Sequence, residues 1–159
     1  MVTGPHDAIA ILLTDHKHVK SLFHQLDQLG DRSKVNKKKL ANQICHELMI
    51  HSQIEEELFY PAVRGPLKDD DLMDKALVEH ASVTKLIEQI KYMNPEDDLF
   101  DARLKVLAEQ IERHIDEEEH KLFPKVRKTK VDLLALGEQM AGLKADKAEN
   151  PMLSTLFSS

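Results

Sequence analysis

The chain has 159 residues, of which 42% are hydrophobic and 31% charged, with a net charge of −6. Those proportions exclude a disordered chain and suit one globular domain with a single sizeable core. The negative balance argues against nucleic acid as the main partner, because phosphate recognition calls for a basic surface.

No apolar run approaches the roughly 20 residues that span a bilayer, and the start, MVTGPHDAIAILLTDH, lacks the basic region of a secretory signal. No membrane partner is therefore expected. The single cysteine, Cys45, excludes an internal disulfide and a cysteine-rich metal site, and fits a cytoplasmic location. Nine histidines are the anomaly of the composition.

Apolar residues recur at three-and-four spacing, the mark of amphipathic helices. A first helix is expected from about Pro5 to Leu29, with Gly30 as its stop and an inward stripe of Ile9, Leu12, His16, Val19, Phe23 and Leu26. Ser33 can cap a second helix running to about Val63, where Arg64-Gly65-Pro66 should break it; its stripe is Leu40, Ile44, Leu48, His51, Glu55 and Leu58. A third helix should start near Asp69 to Asp71 and end before Asn94-Pro95, burying Met73, Ala76, His80, Val83, Ile87 and Ile90. The fourth should run from about Glu96 to the region of Pro124, burying Leu104, Leu107, Ile111, His114, Glu118 and Leu122. Short connections make consecutive helices antiparallel neighbours, so residues 1–127 read as an all-α, up-down-up-down four-helix bundle. Residues 128–159 read as a C-terminal extension, with a shorter helix over 131–147 and an irregular tail from Asn150. The basic runs Lys37 to Lys39 and Lys125 to Lys130 read as solvated helix surface.

One helical hairpin occurs twice. His16, Val19, Leu22 and Leu26 recur 64 residues later as His80, Val83, Leu86 and Ile90. His51, Glu55, Pro61, Val63 and Arg64 recur 63 residues later as His114, Glu118, Pro124, Val126 and Arg127. The duplication places six polar residues on core-facing stripes: His16, His51, Glu55, His80, His114 and Glu118. Burying them unpartnered would cost on the order of several kcal/mol each, and ionised glutamates need compensating charge. At about 1.5 Å per residue, His16 and His51 lie at similar heights, as do His80 with His114 and Glu55 with His80, so the six can form one layer. His-x-x-x-Glu sets an imidazole and a carboxylate one turn apart on one face. Histidine plus carboxylate suits Fe, Mn or Zn rather than Ca or Mg. A pair of divalent cations would supply the missing charge.

The segments DHKHVKSLF, HSQIEEELFYP, EHASVTKLI and HIDEEEHKLFP resemble the hemerythrin-like, or HHE cation-binding, domain across about residues 6–127. The resemblance implies two iron ions, one held by His16 and His51 and the other by His80 and His114. Glu55 and Glu118 would bridge them together with an oxo, hydroxo or water bridge. Oxygen-carrying hemerythrins have a fifth histidine one turn from the one on the third helix. Here those positions are Ala76 and Thr84, so open or water-filled positions are expected at both metals.

The remaining candidates point away from the site. His6, His18, His24, His46 and His120 are expected at the surface, Cys45 as an inert packed thiol, and Tyr60 and Phe123 as a plug at one end of the bundle. Glu117-x-x-His120 resembles half of a ferritin-type ligand pair, but the first repeat has Ile54 at the corresponding place. Relatives that repair iron–sulfur clusters carry a cysteine-containing N-terminal segment, which this sequence does not show. The resemblance thus implies a di-iron protein reacting with a small oxidant (O2, H2O2 or NO), with peroxide decomposition as the expected activity. The alternative is a protein that senses oxygen, iron or redox state, or handles iron, without turnover.

Overall fold

In the computed structural model, which describes residues 7–149, every regular element is helical. The first helix, α1 (Ala8–Leu29), starts where the Asp7 carboxylate accepts from the Ala10 amide at 2.7 Å. Pro5, the expected start, lies outside the described residues. Gly30 stops the helix at φ 55°, ψ −134°, a conformation that favours glycine.

Ser33 caps α2 (Lys34–Ile54), which passes into a π-helical segment, Glu55–Phe59, and then into α3 (Tyr60–Leu67). Both junctions keep right-handed helical dihedrals, so the three form one continuous rod. The break expected at Arg64-Gly65-Pro66 does not occur. Pro66 lies inside the last turn of α3, and the rod ends two residues later at Lys68, which is left-handed at φ 55°. Arg64 then ties the corner, pairing with Asp70 at 3.0 Å and Asp74 at 2.7 Å.

Asp69 caps α4 (Asp70–Lys91). The next helix, α5 (Phe100–Glu117), begins four residues later than Glu96, the expected start. Asn94 and Asp97 explain the delay: the Asp97 carboxylate accepts from the Asn94 amide at 2.9 Å, and the Asp97 amide donates to the Asn94 carbonyl, a local turn that competes with helix. A second π segment, Glu118–Leu122, joins α5 to α6 (Phe123–Arg127). The C-terminal helix, α7 (Leu133–Ala148), is capped by Asp132 and packs against α1 and α2.

Two apolar clusters sandwich a polar layer, and their order along each rod shows the up-down-up-down path. Leaving the first cluster, α1 passes from Ile9 and Leu12 through His16 to Val19 and Leu22 in the second. The α2 rod returns from Ile44 and Leu48 through His51 to Phe59 and Val63. Met73 through His80 to Ile87 on α4, and Leu107 through His114 to Val126 on the α5 rod, repeat the alternation. Leu136 and Met140 of α7 complete the first cluster.

The basic run at Lys37 is more than solvated surface. Lys37 is buried and pairs with Asp31 at 2.6 Å and Asp101 at 3.0 Å, while Lys38 donates to the Ile90 and Lys91 carbonyls that end α4. These contacts tie the first and third connections to the bundle end away from α7. Among the described residues, no helix is long and apolar enough to cross a membrane.

Ile87 is 1% exposed in the second cluster, two turns from His80. Ile87→Ala is expected to lower stability by about 2–5 kcal/mol, read as a shift in the urea midpoint, without changing metal content.

Candidate metal centre

All six residues of the expected layer are buried and converge, with Glu55 0% and Glu118 2% exposed. They form two groups, His16–His51–Glu118 and Glu55–His80–His114, within each of which the ligand atoms lie within 4.8 Å of one another. The carboxylates touch both groups. Glu55 Oε1 is 3.0 Å from His80 Nε2 and 3.4 Å from His51 Nε2. Glu118 places Oε1 3.0 Å from His16 Nε2 and Oε2 3.4 Å from His114 Nε2. The Nε2 atoms of His80 and His114 face each other at 3.2 Å.

The outer nitrogens explain how four imidazoles come to point inward. Each Nδ1 meets a carboxylate: His51 with Asp15 at 2.9 Å, His80 with Glu56 at 2.9 Å, His114 with Glu79 at 3.2 Å, and His16 with Glu119 at 2.7 Å. An Nδ1–H donated outward leaves the Nε2 lone pair aimed into the layer, the arrangement by which carboxylates orient metal-binding histidines. The four bonds form a closed circuit in which each rod supplies a histidine and a carboxylate that holds the next rod's histidine. These four carboxylates were missed by the sequence reading, although their signal was present. Asp15-His16 matches Glu79-His80 at an offset of 64, and Glu55-Glu56 matches Glu118-Glu119 at 63.

The two π segments follow from the prolines. Pro61 and Pro124 have no N–H to donate, and one turn ahead of each ring the ladder widens, with the Tyr60 amide bonding to the Glu55 carbonyl and the Phe123 amide to the Glu118 carbonyl. The extra residue turns Tyr60 and Phe123, five positions after each glutamate, toward the layer. Phe123 stacks on the His16 ring at a centroid distance of 5.8 Å and an interplanar angle of 11°. Tyr60 is more than an end plug. Its hydroxyl donates to Glu118 Oε2 at 2.7 Å and lies 3.2 Å from Glu55 Oε1 and 3.1 Å from His80 Nε2. The same hydroxyl lies 3.4 Å from His114 Nε2, so a phenol stands beside both histidines of the second group.

Electrostatics in this layer are strongly coupled. Burial alone would lower the pKa of His51, but the Glu55 charge and the Asp15 hydrogen bond push it up to about 10. His80 and His114 are likewise raised against the pull of burial, His80 mainly by Glu55 and His114 by Glu118. Burial opposes ionisation of Glu55, yet the surrounding histidines hold it well below the usual carboxylate range. Burial and the two glutamates push Tyr60 well above the ordinary phenol value. Two buried atoms, His51 Nε2 and Glu55 Oε2, have no hydrogen-bond partner, a costly arrangement for an all-protein core. Four inward nitrogens, two buried carboxylates and these orphaned atoms fit a pair of divalent cations.

Residues expected outside the layer stay outside it. His18, His24 and His120 are exposed, His46 is partly buried, and His6 lies outside the described residues. Glu117 pairs with Lys75 at 2.9 Å and His120 with Asp116, so neither joins the centre. Cys45 is fully buried in the second cluster, and burial pushes its thiol to about 12, which leaves it inert at neutral pH.

The family model that matches is the hemerythrin HHE cation-binding domain, over residues 7–126. A DNA nickase from Nostoc sp. is 32% identical over 117 residues, a match covering 74% of this chain and 32% of that protein. An uncharacterized hemerythrin-like protein from Schizosaccharomyces pombe is 27% identical over 119 residues, covering 74% of this chain and 58% of that one. The chain therefore spans about a third and somewhat over half of these two relatives. A crystal structure of a hemerythrin HHE cation-binding domain-containing protein from Mycobacterium kansasii matches with a TM-score of 0.75 and 26% identity, covering 92% of this chain and 88% of that one.

Without metal, protons must balance the buried carboxylates. The raised pKa of His51 stabilises the metal-free fold fully below about 6.5, and that contribution is lost as pH rises through about 10. Protein stripped with a chelator is therefore expected to show a falling urea midpoint between pH 7 and pH 10, with protons released when metal is added back in weak buffer.

Proposed function

Because this chain belongs to the hemerythrin HHE cation-binding family, matched over residues 7–126, we propose that it is a non-haem di-iron protein that reacts with a small oxidant, with peroxide decomposition as its activity. The observation that carries this reading is the pair of mirrored groups, His16–His51–Glu118 and Glu55–His80–His114, joined by two carboxylates that each touch both. Each group would hold one iron, and Glu55 and Glu118, which touch both groups, would serve both ions. Zinc or manganese would suit the same donors, and the redox chemistry is what favours iron. When bound, the pair supplies electron transfer to O2, peroxide or NO.

The protein's own part is to hold, orient and exclude. The four outer carboxylates set the imidazoles, and the Tyr60 hydroxyl donates to Glu118 beside the layer. A cavity of about 20 Å³ adjoins the histidines, walled by Val19, Leu48, Val83, Ile111 and Ile115. That is room for roughly one water-sized molecule, which supports a diatomic or peroxide-sized reactant and argues against an organic substrate. The same closure supports a second reading, a sensor or iron-handling protein that holds its metals without turnover.

Iron per chain and the near-ultraviolet spectrum of iron-supplemented protein test the centre first; two irons with oxo-bridge charge-transfer bands are expected. Peroxide loss faster than that of the same iron free in solution supports the enzyme, and its absence in two-iron protein leaves the sensor or iron-handling reading. Glu55→Ala and Glu118→Ala should each lose at least one metal, whereas His18→Ala, an exposed residue 3.8 Å from Glu47, should lose none. Unchanged metal content in both glutamate variants would overturn the ligand assignment.

A further inference from the structure

The circuit of outer carboxylates is not symmetric. Asp15, with its side chain 9% exposed, is far more buried than Glu119, Glu79 and Glu56, whose side chains are 27%, 33% and 44% exposed. The difference comes from α7, which lies across α1 and α2 and brings Lys144 onto Asp15. One carboxylate oxygen, Oδ2, accepts from His51 and the other, Oδ1, from Lys144, so the group is clamped at both ends. Met140, fully buried, and Leu136 anchor the helix in the first apolar cluster, and Lys147 adds an ion pair to Glu57 at 2.8 Å. All of these α7 residues lie beyond residue 126, where the family match ends.

We propose that Lys144 is a positioning residue of the centre, acting through Asp15 on His51, so that the metal position at His16 and His51 depends on α7 while the one at His80 and His114 does not. The inference rests on the two-metal reading above. A buried carboxylate that loses one of two donors turns toward water to replace it, and turning Asp15 draws Oδ2 from His51 Nδ1. The imidazole is then free to tilt, and its Nε2 no longer meets the metal in the geometry that His16 and Glu118 set. His80 and His114 are held by Glu56 and Glu79; α7 also packs on the π segment that carries Glu56, but its lysines pair with Asp15 and Glu57 rather than with either of these carboxylates. Lys147 serves as the internal control, because it fastens the same helix to Glu57 without touching the circuit.

Iron-loaded full-length chains would be mixed with excess chromogenic chelator and the release of iron followed with time. In Lys144→Met, about one of the two irons should leave roughly ten-fold faster, the scale of losing an orienting partner, with the second at the wild-type rate. Lys147→Met should match wild type, and Lys144→Arg, which keeps the cation, should restore slow release. Thermal unfolding of the metal-stripped variants checks that each still folds. Equal acceleration of both irons, the same change in Lys147→Met, or no change in Lys144→Met would each overturn the inference while leaving the two-metal centre standing. A wild-type chain that binds no metal would instead overturn the centre itself and the inference with it.

Discussion

Two carboxylates buried in the middle of a helical bundle set the terms for the rest of the molecule. Glu55 and Glu118 are shielded from water, and an uncompensated charge there would cost more than a small domain's net stability can absorb. The surroundings answer that demand at close range. Four imidazoles point their Nε2 atoms at the glutamates, a phenol donates to Glu118, and four further carboxylates hold the imidazoles from behind. Each outer bond fixes a tautomer as well as an orientation, which prepares the layer for cations. The apolar clusters above and below complete the arrangement by keeping water away from it.

Duplication explains the economy of this layer. A hairpin with a histidine on one helix and His-x-x-x-Glu-Glu on the next, used twice, closes a circuit in which every helix both offers and orients. Departures from the twofold pattern are where the two halves acquire different chemistry. At the position five residues after each glutamate, Tyr60 brings a hydroxyl to the layer, whereas Phe123 brings only a ring that stacks on His16. The C-terminal helix adds a second departure, since it presses on Asp15 and Glu57 of the first hairpin. A centre built from near-identical halves thus has two unlike sides.

Family membership speaks to the domain and stops there. The Nostoc nickase matches this chain over about a third of its own length, and the activity in its name belongs to a longer protein. In the present chain the six candidate ligands are buried and converge inside the bundle. The ligand layer is the feature through which a function has to be sought.

Much of this was legible from sequence because helices convert spacing into faces. Three-and-four periodicity located the helices, Ser33 and Gly30 marked two boundaries, and the offset repeats singled out His16, His51, Glu55, His80, His114 and Glu118 as one layer. Other features were not legible, for a common physical reason: they depend on which groups meet across helices. Pro66 stays inside α3, and the helix ends only at the left-handed Lys68. Glu96 stayed out of one because Asn94 and Asp97 satisfied each other first. Asp15, Glu56, Glu79 and Glu119 look like ordinary charged residues until a neighbouring rod presents an Nδ1–H. Tyr60 reaches the layer only because Pro61 forces a π-turn, and Lys144 meets Asp15 only because α7 folds back across a distance of 129 residues in the chain. Local periodicity along the chain determined the helices and the buried polar stripe. Contacts between rods, which no local pattern encodes, decided how that stripe is oriented, filled and made unequal.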